Sequence, residues 1–336
     1  MKRQLAALLL TIFALSLTAC GETAAESETR TVYAMDTVMT LEAYGQNADA
    51  SLDEAVAEIE RLDALWSIAS SDGEIARLNA EKQITASADT LALLTRAKEI
   101  SAATDGLFST TIAPLMEAWG FTNGDYRVPD EAELSALLAH VDDEEIAISD
   151  STVTIPADAK VDLGGIAKGF TSARVMEIFR ENGVENGILS LGGNVQALGT
   201  KPDGSLWRVG LQDPADERAL FATLELADKA VITSGAYERN FEQDGIVYHH
   251  IIDPRTGYPA ESGLSSVTIV SDDGTLADGL STALYIMGKE AAVEFWRSNR
   301  DDFDMVLLAD DGAVTVSAGI ADALTLSAGS AAEVVS

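Results

Sequence analysis

Apolar positions recur along this chain with two periods, and the periods mark out its elements. Residues 31–44 (TVYAMDTVMTLEAY) alternate and are rich in Val, Thr and Tyr, which predicts a strand broken near Asp36. Between Asp49 and Leu65 the apolar residues Leu52, Ala55, Val56, Ile59 and Leu62 fall at helical spacing. Residues 66–73 read as a loop, and Leu91, Leu94, Ala97 and Ile100 mark a second amphipathic helix over 89–103. Asp130, directly after Pro129, is placed to cap a helix running to His140, with Glu133 completing a capping box. Residues 146–155 suggest a short hairpin, and 164–182 a glycine-rich turn feeding a helix that stops at Gly183. Strands then dominate, at 188–191, 207–211, 220–226 and 247–252, with Lys201-Pro202-Asp203-Gly204 as a turn between two of them. A strand at 264–270, helices at 275–287 and 289–299, and a hairpin around Asp310-Asp311-Gly312 complete the pattern. Helices come in clusters and strands in runs, without regular βαβ alternation. The expected class is α+β, a largely antiparallel sheet with flanking helices.

The N-terminus stands apart from this pattern. Lys2 and Arg3 precede an apolar run over 5–17 that is too short to span a bilayer comfortably. Leu17-Thr18-Ala19-Cys20 follows and resembles a bacterial lipobox, so 1–19 is expected to be a lipoprotein signal and Cys20 the lipidated residue that reaches the bilayer. Residues 20–30 are small, polar and acidic, and read as a flexible tether. Cys20 is the only cysteine of the 336 residues, which excludes a disulfide within the chain and a catalytic thiol in the domain. The net charge of −33, from 55 acidic and 22 basic residues, argues against nucleic-acid binding, because a phosphate backbone needs a basic face. An anionic substrate would need a local metal or lysine to offset that field.

Four segments could carry chemistry. In Asp162-Leu163-Gly164-Gly165-Ile166-Ala167-Lys168-Gly169-Phe170, paired glycines would let backbone approach a ligand, and the helix that follows would aim N–H groups at it. Lys168 adds a point charge suited to phosphate. Gly169 in place of Ser or Thr after the lysine excludes a Walker A loop, the glycine spacing excludes the dinucleotide fingerprint, and a tight turn with close helix packing explains the glycines equally well. His249-His250 ends a predicted strand and contains two of the three histidines. One ring could serve as a general base, and on an alternating strand only one would face a given pocket. Asp278 and Thr282 lie four apart on one helix face, a pairing that suits a hard cation, although a capping aspartate is the commoner role. Val231 to Arg239 (VITSGAYER) is a strand running into a small-residue turn. Ser234 lacks the G-x-S-x-G elbow of a hydrolase nucleophile.

These segments together resemble the ApbE family of FAD:protein FMN transferases. The runs that carry the resemblance are DLGGIAKGF, LGGNV (Leu191 to Val195), VITSGAYER, HHIIDPRTGYP and ADGLSTALYIMG (Ala277 to Gly288), in family order. Weaker matches are Met35-Asp36-Thr37, Gly106 to Ser109, and Ala113 to Phe121. The resemblance implies a T-fold-like architecture, a single two-lobed transferase domain over 31–320 and a C-terminal tail over 321–336. It implies that Asp162 and Lys168 contact FAD, that Met35, Leu107, Phe108, Ser109 and Ile252 line the flavin nucleotide pocket, and that His250 is the base. Asp278, Thr282 and the carbonyl of Gly165 would hold Mg²⁺. Departures are Asp36 in place of a glycine, Ser109 in place of an aspartate, and Ala69 where an aromatic is common.

The activity implied is Mg²⁺-dependent transfer of FMN from FAD to a Thr or Ser hydroxyl of a target protein, with release of AMP. The implied targets are flavoprotein subunits of membrane redox complexes, reached from a lipid-anchored position facing the periplasm. Two other readings use the same residues: a hydrolase that splits FAD into FMN and AMP, and a lipoprotein that binds FAD without chemistry. Appearance of AMP separates the last from the other two, and FMN on a target peptide separates transfer from hydrolysis.

Overall fold

The alternating segment forms a hairpin of β1 (Ser27–Ala34) and β2 (Thr37–Tyr44) in the computed structural model, which describes residues 27–327 and 331–336. Met35 and Asp36 alone make its loop, both at positive φ (48° and 58°), as a type I′ turn requires. The break expected near Asp36 is this turn. Because Ser27 to Arg30 already pair with Leu41 to Tyr44, the expected tether loses its last residues to strand β1. The signal and Cys20 lie outside the described residues.

Six helices are the main elements between residues 48 and 181. They are α1 (Ala48–Trp66), α2 (Glu74–Glu81), α3 (Ala88–Ala103), α4 (Ala113–Trp119), α5 (Glu131–Leu138) and α6 (Ala167–Glu181). Helix α1 buries the stripe that its spacing predicted, including Leu52, Ala55, Ile59 and Leu62, and each full burial of a large aliphatic side chain contributes about 1.5–3 kcal/mol. Asp130 caps α5 by accepting from the Glu133 N–H, but the Glu133 carboxylate pairs with Arg127 at 2.7 Å instead of closing the box. Short strands β3 (Gln83–Thr85), β4 (Ala147–Ser149) and β5 (Thr152–Thr154) make a small sheet that includes the expected hairpin.

The rest is mainly strand: β6 (Gly187–Leu191), β7 (Asn194–Leu198), β8 (Trp207–Asp213), β9 (Asp216–Leu226), β10 (Ala230–Gly235), β11 (Asn240–Gln243), β12 (Ile246–His249) and β13 (Leu264–Ser271). After them come α7 (Gly274–Met287), α8 (Lys289–Ser298), β14 (Asp304–Ala309), β15 (Val314–Ser317), β16 (Leu324–Leu326) and β17 (Ala332–Val335). Nine strands form one sheet in the order β1-β2-β6-β7-β10-β13-β14-β15-β17, antiparallel except for the last pair. The class is α+β, as expected. The segment 321–336 does not behave as a tail: β16 pairs with β9, and β17 closes the edge of the large sheet beside β15. Its strands are only three and four residues long, too short for a period to show.

Both faces of the large sheet are covered. Ile232, Val267, Ile269, Met305 and Leu307 face the helices, whereas Val231, Val270, Val306 and Leu308 face the smaller sheet of β8, β9 and β16. This two-sided burial runs through β13, where every residue from Ser266 to Ser271 is buried whichever face it points to. On the helical side α7 packs on β10 and β13 and against α6, and α6 packs against α1. The ends of α6, α7, β7 and β10 therefore converge, and the site lies there.

Candidate functional site

Contact between α6 and α7 begins at Gly169. A Cβ there would stand 2.2 Å from the Gly274 carbonyl oxygen and 2.6 Å from the Asp278 Cβ, so only glycine permits this approach. The approach lets the Gly169 N–H donate to Asp278 Oδ2 at 2.8 Å. Asp278 is not a helix cap. Asp273 fills that role, accepting from Thr275 and Leu276 N–H, and Asp278 sits within α7, 5% exposed. Its other oxygen accepts from Asn194 Nδ2 at 2.9 Å. One turn further along α7, Thr282 shares a hydroxyl contact with Ser234, whose oxygen also lies 2.7 Å from the Ser281 hydroxyl.

These groups open onto a cavity of about 440 Å³. Among its lining residues are all eleven positions singled out from the sequence within the described region: Met35, Leu107, Phe108, Ser109, Asp162, Gly165, Lys168, His250, Ile252, Asp278 and Thr282. They come from the β1–β2 turn, the loop after α3, the N-terminus of α6, the segment after β12, and α7. Lys168, in the first turn of α6, forms no ion pair within 4 Å among the described residues. Its field nonetheless reaches Asp162, Glu238 and His250. Burial pushes the half-buried Asp162 up, opposed by the hydrogen bond from the Gly164 N–H.

The two histidines part, as strand alternation predicted. His249 Nε2 donates to the Ala260 carbonyl at 3.1 Å, its Nδ1 accepts from the Ile251 N–H, and its ring stands edge-on to Tyr285, away from the cavity. His250 lines the cavity with Nδ1 3.2 Å from the Arg239 carbonyl oxygen. A carbonyl only accepts, so Nδ1 carries the proton and Nε2 keeps its lone pair. Desolvation, then the Arg239 guanidinium, pushes His250 down to about 3, with Lys168 adding to the effect. The strand expected through 252 ends at His249, because Asp253 to Tyr258 turn sharply: the Gly257 N–H donates to the Asp253 carbonyl at 2.8 Å. Ile252 keeps one bridge, to Pro259.

Asn194, Glu238 and Arg239, which lie within the LGGNV and VITSGAYER runs but carry no spacing that marks a role, also line the cavity. Glu238, although it keeps contact with solvent at the rim, is pushed up to about 7 by desolvation and by the charge of Asp278. Arg239 donates to the Phe121 carbonyl and fixes the backbone that holds His250. Asp143 was not anticipated at all. It is 4% exposed and accepts from the Ser109, Thr110 and Thr111 hydroxyls and from the Thr110 and Thr111 N–H groups, pinning the wall that carries Leu107 and Phe108. No local pattern points to it, since 32 to 34 residues separate the partners.

No group of three or more His, Cys, Asp or Glu side chains among the described residues could cage a metal ion. The donors gathered around Thr282 are the Asp278 carboxylate, hydroxyls and backbone carbonyls. That set is incomplete alone and suits a hard cation that shares its shell with water and a bound phosphate.

Comparison with known proteins agrees with this architecture. An FAD:protein FMN transferase of Klebsiella pneumoniae (strain 342) is 37% identical over 214 residues, 62% of this chain. The chain spans just under two thirds (66%) of that relative's length. A crystal structure of the ApbE protein from Thermotoga maritima superposes with a TM-score of 0.82 at 31% identity, covering 88% of this chain and 98% of that one. The flavin transferase ApbE from Vibrio cholerae gives 0.79 at 29% identity, again with 88% and 98% covered. The profile of the ApbE family matches residues 35–307, most of the 336, and this chain therefore belongs to the ApbE family.

Proposed function

We propose that this protein is an FAD:protein FMN transferase, which moves FMN from FAD to a Thr or Ser hydroxyl of a target flavoprotein and releases AMP. One observation carries the reading: Asp278, Thr282, Lys168 and a neutral His250 with a free Nε2 converge on one cavity. That combination exceeds what a passive binder needs. The curated relative of Klebsiella pneumoniae bears the name of this activity.

In the mechanism, the FAD diphosphate lies against the N-terminus of α6, where the positive end of the helix dipole and Lys168 stabilise its charge. A Mg²⁺ held by Asp278, Thr282 and the Gly165 carbonyl would neutralise further charge on the same phosphates. The acceptor hydroxyl attacks the phosphorus on the FMN side, and His250 Nε2 takes its proton. A bond forms from the acceptor oxygen to that phosphorus, the bond from the phosphorus to the bridging oxygen breaks, and the bridging oxygen leaves with AMP. Met35, Leu107, Phe108, Ser109 and Ile252 would hold the flavin nucleotide, and Asp162 would contact it at the glycine turn. An acceptor that reaches Nε2 before water does keeps the outcome transfer and not hydrolysis.

The reading extends to location. Lipidation at Cys20 would hold the enzyme at a membrane on the periplasmic side and raise its effective concentration near flavoprotein subunits of membrane redox complexes. No helix among the described residues is long and apolar enough to cross a membrane. Exchange of Cys20 for alanine should release active enzyme into the soluble fraction, and detergent-only extraction of that variant would contradict the anchor.

The activity is tested by incubating the protein with FAD, Mg²⁺ and a candidate flavoprotein subunit, read by in-gel flavin fluorescence and intact mass. Covalent FMN on the target supports transfer. Free FMN and AMP without a labelled target would establish hydrolysis in its place, and absence of AMP would leave only binding.

A further inference from the structure

We infer that Asn194 is a positioning residue for the cation site: its amide fixes the rotation of the Asp278 carboxylate and so presets the geometry in which Asp278 meets a metal ion. The inference rests on the reading of Asp278 and Thr282 as cation ligands.

Asn194 opens β7 directly after a two-residue turn, Gly192-Gly193, with both residues at positive φ (61° and 95°). A Cβ on Gly192 would lie 2.4 Å from Thr37 Oγ1, so this turn is pressed against β2 and its position is set by the sheet. Asn194 is 4% exposed, and what exposure it keeps faces the cavity. An ionised carboxylate only accepts, so the amide nitrogen faces Asp278, at 2.9 Å, and the amide oxygen points elsewhere. Asp278 is therefore held by one donor on each oxygen, Asn194 Nδ2 from the sheet and Gly169 N–H from α6. Two donors from two elements fix the torsion that a single donor would leave free. The lone pairs not used by these bonds remain for a ligand in the cavity.

Such a carboxylate binds a cation without first being ordered. Loss of a supporting hydrogen bond of this kind lowers metal affinity by about 10–100-fold. A purely structural bond between β7 and α7 would lower stability and leave affinity where it was.

The test is titration of the full-length protein with Mn²⁺ alone, followed by electron paramagnetic resonance, for wild type, Asn194→Ala, Asn194→Ser and Asp278→Ala. Thermal melting and FAD affinity without metal are measured alongside. Asn194→Ser keeps a polar atom at the site and guards against loss of the fold. The expected result is Mn²⁺ affinity at least tenfold weaker in both Asn194 variants, with metal-free FAD affinity unchanged. Wild-type Mn²⁺ affinity in a folded Asn194 variant, whatever its melting temperature, overturns the positioning role if Asp278→Ala loses affinity. Wild-type affinity in Asp278→Ala overturns the cation site itself, and the role of Asn194 falls with it.

Discussion

The hydroxyl of Ser109 donates to the carboxylate of Asp143 at 2.7 Å, across 34 residues of sequence. Thr110 and Thr111 add four more donors to the same two oxygens, so one buried carboxylate gathers the whole turn between the α3 loop and α4. This wall presents Leu107 and Phe108 to the cavity. The position where the family commonly has an aspartate is occupied by Ser109, and the carboxylate in contact with it comes from Asp143.

Asp143→Ala would take the shared acceptor from five donors, two of them backbone N–H groups, and leave Ser109 and Thr111 only their bonds to each other. A destabilisation of about 3 kcal/mol or more is expected, since each buried unsatisfied group costs about 1–3 kcal/mol. Chemical denaturation measures it. On the proposed binding mode, in which this wall holds the flavin nucleotide, KM for FAD should rise more than kcat falls. Asp143→Asn, which keeps one accepting oxygen, should lose less on both counts. Equal stability of Asp143→Ala and wild type would show that the turn holds itself.

Legibility in the sequence followed the range of the forces. Helix α1, the cap of α5 by Asp130 and the alternation that separated His249 from His250 depend on neighbours within a few residues, and each could be read directly. The pairing of Asp278 with Thr282 was visible as an i,i+4 spacing, but its bond to Asn194 spans 84 residues and was not. Strands β16 and β17 escaped notice because short segments at a sheet edge carry no period of their own. Gly169 was legible as an oddity after Lys168, and its reason, the close pass of α6 over α7, exists only in three dimensions.

His250→Ala removes the only imidazole that faces the cavity. Transfer should slow by about 10²–10⁴-fold, the usual contribution of a positioned base. FAD affinity should stay near wild type, since the proposed phosphate contacts lie on α6 and α7. Single-turnover labelling of a target, with calorimetry for FAD, separates the two effects. A wild-type labelling rate would remove His250 from the proton transfer.

The pH dependence of stability follows from the same ring. His250 is pushed down from its ordinary value of 6.5 to about 3, and burial lowers His249 as well. Between those limits the unfolded chain takes up protons that the folded chain refuses, so the unfolded state binds more protons and stability rises with pH. Above about 6.5 both states hold the neutral ring and this contribution is level. Stability should fall as pH is lowered from about 6.5, and His250→Gln should flatten part of that slope. Urea unfolding across pH 4.5 to 7.5 measures it, and an unchanged slope in the variant would place the ring in solvent.

Gly169→Ala tests the contact on which the site is built. The added methyl would meet the Gly274 carbonyl at 2.2 Å, a backbone atom that no rotamer change can move. Relief requires α6 and α7 to separate, and overpacking of this kind costs about 1–3 kcal/mol. Alanine's better helix propensity would return less than about 1 kcal/mol of that cost. Separation also lengthens the bond from the Gly169 N–H to Asp278 and shifts Lys168, the preceding residue, away from its place at the cavity. The expected outcome is a lower melting temperature together with weaker FAD binding, the second effect persisting at temperatures where the variant is fully folded. A variant that melts lower but binds FAD as wild type does would mean that the helix contact supports the fold without setting the phosphate site.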